Sequence, residues 1–376
     1  MKSKFPEGFF IGGAHAGLKK TGKDVGLIYC PEGFFASAVF TKNRFPAAPV
    51  VISRKHLPRG KVLVVNSRFA NAGTGARGIK DAMDVCGFAA REFGVAKNEV
   101  LLASTGVIGQ PLPVKKIKKG IKKISRNFVK KPAAAVSFAE SILTTDTRRK
   151  ICATEDFWAC AKGSGMIAPD MATFLCFILT DAYVPPVLMR RILSESIRPF
   201  NTITVDGEMS TNDSVFLLST GKRKITPLRF GEGLNGVCRV LSEKIIADGE
   251  GATKVITVSV KSARSQKDAR FLARFLANSP LIKTAFNGES PNWGRIFSRV
   301  GASGIAVNEK KMSISICGLT VFVGAPVEFN RKLLEHLLKG KNVSFEVVLS
   351  MGKERCSFRT TDLSAEYVKI NADYAT

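Results

Sequence analysis

The chain has 376 residues, 45% of them hydrophobic, and 57 lysines and arginines against 31 aspartates and glutamates give it a net charge of +26. That length can bury a large core across two to three lobes, and no stretch approaches the roughly 20 uncharged apolar residues that cross a bilayer. The eight cysteines form no C-x-x-C pair and the three histidines stand apart, which excludes a clustered zinc site and leaves the cysteines as small, reduced core residues.

In chain order, the opening MKSKFPEGFF lacks the apolar core and cleavage site of a signal peptide, so a cytoplasmic protein is expected. Short apolar runs predict strands at Val25–Tyr29, Ala36–Thr41 and Val62–Asn66, then a helix over Arg77–Phe93 and a strand at Val100–Ser104. From Pro113 to Phe128 isoleucines and a phenylalanine recur at helical spacing among lysines, with proline in the first turn, where its missing N–H costs nothing. This reads as an amphipathic helix with a solvated basic face. No aromatic residues interleave its lysines to stack on bases, so nucleic acid is not the expected partner, and attraction of anionic substrates accounts for the charge as well. A strand at Thr173–Asp181 follows, then helices at Pro185–Pro199 and Leu234–Asp248. Last come a strand at Val255–Lys261, helices at Gln266–Asn278 and Asn330–Leu338, and a strand at Val343–Ser350. The alternation predicts an α/β or α+β fold of layered sheets and helices.

Chemistry-bearing residues gather in Lys162–Ala182. A glycine-rich bend at Gly163 to Gly165, able to admit another chain segment closely, leads through Pro169 to Ala172-Thr173 at the mouth of an apolar strand. A threonine hydroxyl is a weak nucleophile and needs a nearby base. If the peptide bond before Thr173 is broken, its own α-amine, with an ordinary pKa near 8, becomes that base. The hydroxyl can make the cut itself, by an N-to-O acyl shift at the carbonyl of the small Ala172. By pattern alone Thr173 is equally a β-branched strand starter.

Other clusters stand further out. Ser104-Thr105-Gly106 can present N–H groups and a hydroxyl to an oxyanion, or be an ordinary strand-to-helix turn. Thr144-Thr145-Asp146-Thr147 reads as a capping turn, and Asp206-Gly207-Glu208 with Ser210-Thr211-Asn212-Asp213 as an Asx-type turn capping a helix. Glu250, flanked by Gly249 and Gly251, can hold an amine.

Together these segments resemble the ornithine acetyltransferase (glutamate N-acetyltransferase) family along essentially the whole chain. The landmarks are PEGF at Pro6–Phe9, AGLKKTGKDVGLI at Ala16–Ile28, ANAGTG at Ala70–Gly75 and STGVIGQPLP at Ser104–Pro113. ILTTDT at Ile142–Thr147, AKGSGMIAPDMAT at Ala161–Thr173 and ITVDGEMSTND at Ile203–Asp213 follow. DGEGATK at Asp248–Lys254, SPLIKTAFNGESPNWGRI at Ser279–Ile296 and the terminal NADYAT complete the set.

The resemblance implies an Ntn-type layered sandwich, like that of DmpA and ornithine acetyltransferase, with sheets flanked by helices. It implies acetyl transfer from N2-acetylornithine to glutamate through an acetyl-Thr173 ester, in arginine biosynthesis, with no cofactor and acetyl-CoA as an open second donor. Cleavage between Ala172 and Thr173 would leave an α segment, 1–172, and a β segment, 173–376, expected to assemble as an α2β2 heterotetramer away from any membrane. Thr105 and Gly106 match the family's oxyanion pair. Lys162, Glu250, Asn371 and Thr376 match substrate contacts, with Thr144 chosen over Thr145 from the TTDT stretch. A related self-processing amidase or aminopeptidase, and an inactive basic nucleic-acid binder, are the alternatives. The chain departs from the family at Arg68-Phe69, where Gly-Asn is usual, which puts the packing or substrate fit of that loop in question.

Overall fold

The computed structural model describes residues 5–128, 132–168 and 174–373. Its strands are β1 (Phe10–Ala14), β2 (Val25–Phe40), β3 (Arg59–Asn66), β4 (Val100–Ser104), β5 (Lys150–Ala153), β6 (Trp158–Lys162) and β7 (Leu175–Tyr183). They continue with β8 (Ile203–Thr204), β9 (Ser214–Lys224), β10 (Val255–Ala263), β11 (Ser313–Ile316), β12 (Leu319–Val323), β13 (Asn342–Val348) and β14 (Glu354–Thr361). The helices are α1 (Ala48–His56), α2 (Gly75–Phe93), α3 (Val114–Ser125), α4 (Pro132–Ser141), α5 (Pro186–Ser196) and α6 (Pro227–Ile246). After them come α7 (Gln266–Ala277), α8 (Pro280–Asn287), α9 (Trp293–Gly301), α10 (Arg331–Leu338) and α11 (Ala365–Asp373).

The expected mixed α/β class holds: two sheets are flanked by helices. The larger sheet has the order β4-β3-β2-β9-β7-β6-β5, with β1 paired to β2, and the smaller has the order β12-β11-β13-β10-β14-β8. At the centre of the larger sheet β7 and β9 run parallel. Alternate side chains of a strand point to opposite faces. Leu175, Phe177 and Leu179 of β7 therefore enter a core with Phe138 of α4, while Cys176 and Ile178 enter another formed with α5 and α6. Burial on both faces explains why this strand reads as an unbroken apolar run. Phe177 stacks on Phe216 of β9, with ring centroids 5.7 Å apart, and meets Phe138 edge-on at 5.1 Å. Each such ring withdrawn from water contributes roughly 1.5–3 kcal/mol.

Several elements differ from expectation. The two strands expected at Val25–Tyr29 and Ala36–Thr41 are one strand, β2, whose pairing with β3 shifts between Tyr29 and Phe34. Pro31-Glu32-Gly33, which resembles a turn in sequence, is absorbed as that irregularity. Helix α6 begins at Pro227, earlier than expected. Thr226 caps it by accepting the Arg229 N–H, with proline in the first turn. Its glycines hid this start, and at Gly233 there is a reason for one: a Cβ there would lie 2.9 Å from the Phe157 ring. The basic helix is as expected. Ile117, Ile121 and Ile124 of α3 are buried, while Lys115, Lys119, Lys122 and Lys123 face solvent. The described cysteines are all free, and five of the eight are buried. Among the described residues no helix is long and apolar enough to cross a membrane, and no cluster of three or more potential ligands could hold a metal ion.

Candidate active site

The site residues come from separate elements that converge on one pocket, lined by Thr105, Gly106, Thr144, Thr145, Lys162, Gly165, Asp206, Asn212, Glu250, Tyr367 and Asn371 among others. Every described candidate is in it. Ala172, Thr173 and Thr376 lie outside the described residues.

Thr105 and Gly106 follow directly on β4. The Thr105 N–H donates to the Asn66 carbonyl at 3.0 Å. Gly106 has φ +130°, and a Cβ there would meet the Arg68 backbone at 2.2 Å, so no other residue fits. The turn is stapled from below by Asn212, whose side-chain amide donates to the carbonyls of Ser104 at 2.8 Å and Ala70 at 2.7 Å.

The departure at Arg68-Phe69 is accommodated here. Phe69 pairs with Val107 as an isolated bridge and packs against the core under β2 to β4. Arg68, however, has φ 78°, a left-handed conformation that costs a residue bearing a Cβ about 1–2 kcal/mol. Arg68→Gly is accordingly expected to raise stability by about 1 kcal/mol, some of the relief being lost to the greater freedom of glycine in the unfolded chain. A thermal melt checks it, and an unchanged or lowered Tm would contradict the strain.

Lys162 ends β6 fully buried, and its Nζ donates to the Thr144 hydroxyl at 3.1 Å. Burial pushes its ammonium below the ordinary lysine range, against the opposing pull of Asp146. Thr145 serves the other charged group: its hydroxyl donates to Glu250 Oε1 at 2.6 Å and lies 2.8 Å from the Ser164 hydroxyl. Both threonines line the pocket, Thr144 on the lysine side and Thr145 on the carboxylate side.

The glycine-rich bend admits a second segment as expected, and that segment carries Glu250. A Cβ at Gly165 would fall 2.2 Å from the Glu250 carboxylate, and the Glu250 N–H donates to the Ser164 carbonyl at 2.9 Å. Asn371 donates to Glu250 Oε2 at 3.0 Å. Asn371 lies on α11, so the C-terminal segment does return to the site. Its docking needs Gly251, where a Cβ would meet the Tyr367 backbone nitrogen at 2.3 Å.

The TTDT stretch is more than a cap. Asp146 accepts the Thr144 N–H at 3.1 Å and the Gly163 N–H at 2.7 Å, so one carboxylate ties the threonine loop to the glycine bend. Lys150 bridges Asp146 at 2.6 Å and Asp248 at 2.5 Å, all three side chains buried. Burial alone would raise the Asp146 carboxyl, but Lys150, Lys162 and the Gly163 N–H leave it below its ordinary value. Asp206 does form an Asx-type turn, accepting the Glu208 N–H at 3.2 Å, but it caps no helix. A strand follows it, and its carboxylate also accepts the Met166 and Ile167 N–H groups at 2.5 and 2.9 Å and the Tyr367 hydroxyl at 3.4 Å. Sequence reasoning passed over Tyr367, and it held Asn212 only as one member of a polar turn, with no role of its own. Nothing local pointed at Tyr367.

Fold and pocket define a mixed α/β protein with a small polar site in which a buried lysine and a buried glutamate sit beside a threonine-glycine turn, an arrangement suited to a small substrate bearing both charges. The chain matches the ArgJ family over residues 10–376 and belongs to it, the family of the ornithine acetyltransferases of arginine biosynthesis. It is 40% identical to the arginine biosynthesis bifunctional protein ArgJ of Bacillus cereus, over 99% of this chain and 96% of that one. The ArgJ of Dehalococcoides mccartyi is also 40% identical, with the same shares covered. The crystal structure of ArgJ from Bacillus halodurans is 34% identical over 53% of this chain and 98% of that one, with a TM-score of 0.49.

Proposed function

We propose that the protein transfers the acetyl group of N2-acetylornithine to glutamate through an ester on Thr173. The observation that carries the reading is the pairing of Lys162 with Leu175 in the antiparallel β6–β7 register. Residue 173 precedes Leu175 by two positions, and two residues of extended chain span at most about 7 Å. The proposed nucleophile is therefore at most two residues of chain away from the strand partner of a pocket-lining lysine.

In the proposed reaction the Thr173 hydroxyl attacks the acetamide carbonyl carbon while the α-amine of the same residue takes its proton. Thr105 and Gly106 stabilise the oxyanion that forms. The C–N bond then breaks, the amine returns the proton to the departing ornithine nitrogen, and the acetyl group stays on the threonine oxygen. The amine of glutamate attacks that ester and the threonine oxygen leaves, regaining its proton. Lys162 pairs with the α-carboxylate of each amino acid, and Glu250 with the side-chain ammonium of ornithine. Thr144, Asn371 and Thr376 complete the substrate contacts. Acetyl-CoA enters as a second donor at the same threonine. The cut segments assemble as an α2β2 heterotetramer in the cytoplasm.

The experiment is intact-mass analysis of purified protein before and after N2-acetylornithine is added without acceptor. Two chains are expected, the second starting at Thr173 and gaining one acetyl mass that glutamate removes. Removal of that mass by water at the same rate, with no N-acetylglutamate formed, would turn the reading to an amidase. Thr105→Ala is expected to lower kcat about 10²-fold with little change in KM, because an oxyanion donor acts in the transition state. Steady-state kinetics check it, and a raised KM at unchanged kcat would remove Thr105 from that role.

A further inference from the structure

Helix α11 carries Asn371 to the pocket, yet it has little apolar anchorage of its own. None of its nine residues is fully buried, and only Tyr367 and Ile370 are even half-buried. A helix this short owes its stability to what it packs on rather than to propensity. The contacts that seat it converge on Tyr367. At the helix start the Ser364 hydroxyl accepts the Tyr367 N–H at 3.2 Å and donates to the Gly251 carbonyl at 2.6 Å. The Tyr367 ring packs on the core beneath α5 and α6. Its hydroxyl reaches the pocket wall, where it donates to Asp206 Oδ2 at 3.4 Å.

Asp206 is a fixed acceptor. Its Oδ1 takes the Ile167 N–H at 2.9 Å and the Glu208 N–H at 3.2 Å, and its Oδ2 takes the Met166 N–H at 2.5 Å. The backbone that leaves the glycine bend thus holds the carboxylate in place for the tyrosine. Burial, and then the carboxylates of Asp206 and Glu250, push the Tyr367 phenol up, so it stays protonated and donates. Tyr367 and Asn371 stand one helical turn apart, on the same face of α11. The Asn371 amide donates back to the Tyr367 carbonyl at 3.0 Å and forward to Glu250 Oε2 at 3.0 Å. A chain of contacts therefore runs from Asp206 through Tyr367 and Asn371 to Glu250. It begins on the wall formed by the bend and ends on the carboxylate that the proposed reaction gives to the ornithine ammonium.

We infer that Tyr367 is a positioning residue for the acetyl donor: its hydroxyl, clasped by Asp206, seats α11 so that Asn371 aims the Glu250 carboxylate at the side-chain ammonium of N2-acetylornithine. The inference rests on the reading of this pocket as the N2-acetylornithine site. Tyr367 touches no reacting atom and acts only through Asn371. Donor and acceptor bind in separate half-reactions, so kcat/KM for each is read separately. Glutamate brings no side-chain ammonium, and the clasp serves the donor half.

Tyr367→Phe tests this. It removes one oxygen and keeps the ring, so the packing and the fold are retained. Expected is a rise of about three- to tenfold in the KM for N2-acetylornithine, with kcat, and kcat/KM for glutamate, within about twofold of the wild type. Asn371→Ala is expected to raise the same KM, and the double variant to stay within about twofold of Asn371→Ala, because the tyrosine acts through the asparagine. An unchanged KM in Tyr367→Phe overturns the inference. So do effects that multiply in the double variant, which would make Tyr367 independent of Asn371. An equal fall in kcat/KM for both substrates also overturns it, by reducing Tyr367 to general packing. The two readings fail separately. A wild type that neither binds N2-acetylornithine nor transfers acetyl removes the reading of the pocket, whereas an active wild type matched by Tyr367→Phe removes only the clasp.

Discussion

Thr173→Ala is expected to remain one full-length chain and to lose acetyl transfer by on the order of 10⁴-fold or more, the scale seen when a covalent nucleophile is deleted. Without the hydroxyl there is no N-to-O shift at the Ala172 carbonyl, no new amine, and no oxygen on which an ester can form. Nucleophile and base vanish together, so the two losses cannot be separated by adding an external base. Thr173→Ser keeps the hydroxyl and is expected to run as two chains. Denaturing gels and intact masses check the cut, and N-acetylglutamate formation checks the turnover. Efficient transfer by the alanine variant would refute the proposed chemistry.

The same substitution bears on how the two segments hold together. The bond proposed to break lies between β6 and β7, which are paired neighbours in one sheet. Cutting there divides a sheet, and 1–172 and 173–376 are not separate folding units. β9, from the second segment, also pairs with β2 from the first along Phe35–Phe40. The segments are therefore expected to stay together under native conditions after the cut, separating only in denaturant.

What the sequence made legible follows the range of the physics. β4 was readable to the residue because Val100–Ser104 is a local apolar run ended by a turn. β9 was missed. Its sequence, SVFLLSTGKRK, passes from an apolar run to a charged tail, and only its place between β2 and β7 makes it one strand of eleven residues. In the site, the glycine bend announced a close approach but not its partner: Gly165 and Glu250 are far apart in sequence, and no local pattern joins them. The roles of Lys162 and Asn371 were named by resemblance alone, those of Thr105 and Glu250 by their local patterns as well. The bonds that link them, Thr145 to Glu250 and Asn371 to Glu250, are tertiary and could not be read from spacing. Asp146 looked like a capping residue because its local bond to the Thr144 N–H is of that kind. Its distant bonds to Gly163 and Lys150 make it a tie between two walls of the pocket.

That tie gives the largest expected effect on stability. Lys150 is 1% exposed between Asp146 and Asp248, whose side chains are 0% and 6% exposed. Lys150→Met keeps the length of the side chain but leaves two buried carboxylates without their cation. Breaking a buried pair from one side costs about 3–5 kcal/mol, far more than an exposed ion pair contributes. The loss should also depend on pH. In the wild type Asp146 is held below its ordinary 3.8. A depressed folded pKa contributes stability that is fully present above the unfolded value and is lost as pH falls through the folded one, so this contribution survives to below about pH 4. Without Lys150 the largest opposing pull is gone and burial raises the carboxyl. The variant then recovers stability relative to the wild type as the Asp146 carboxyl protonates. Urea unfolding at pH 7 and pH 4.5 reads this directly: the deficit of Lys150→Met should be largest at neutral pH and smaller in acid. A deficit of the same size at both would mean that Lys150 acts by filling space rather than by its charge.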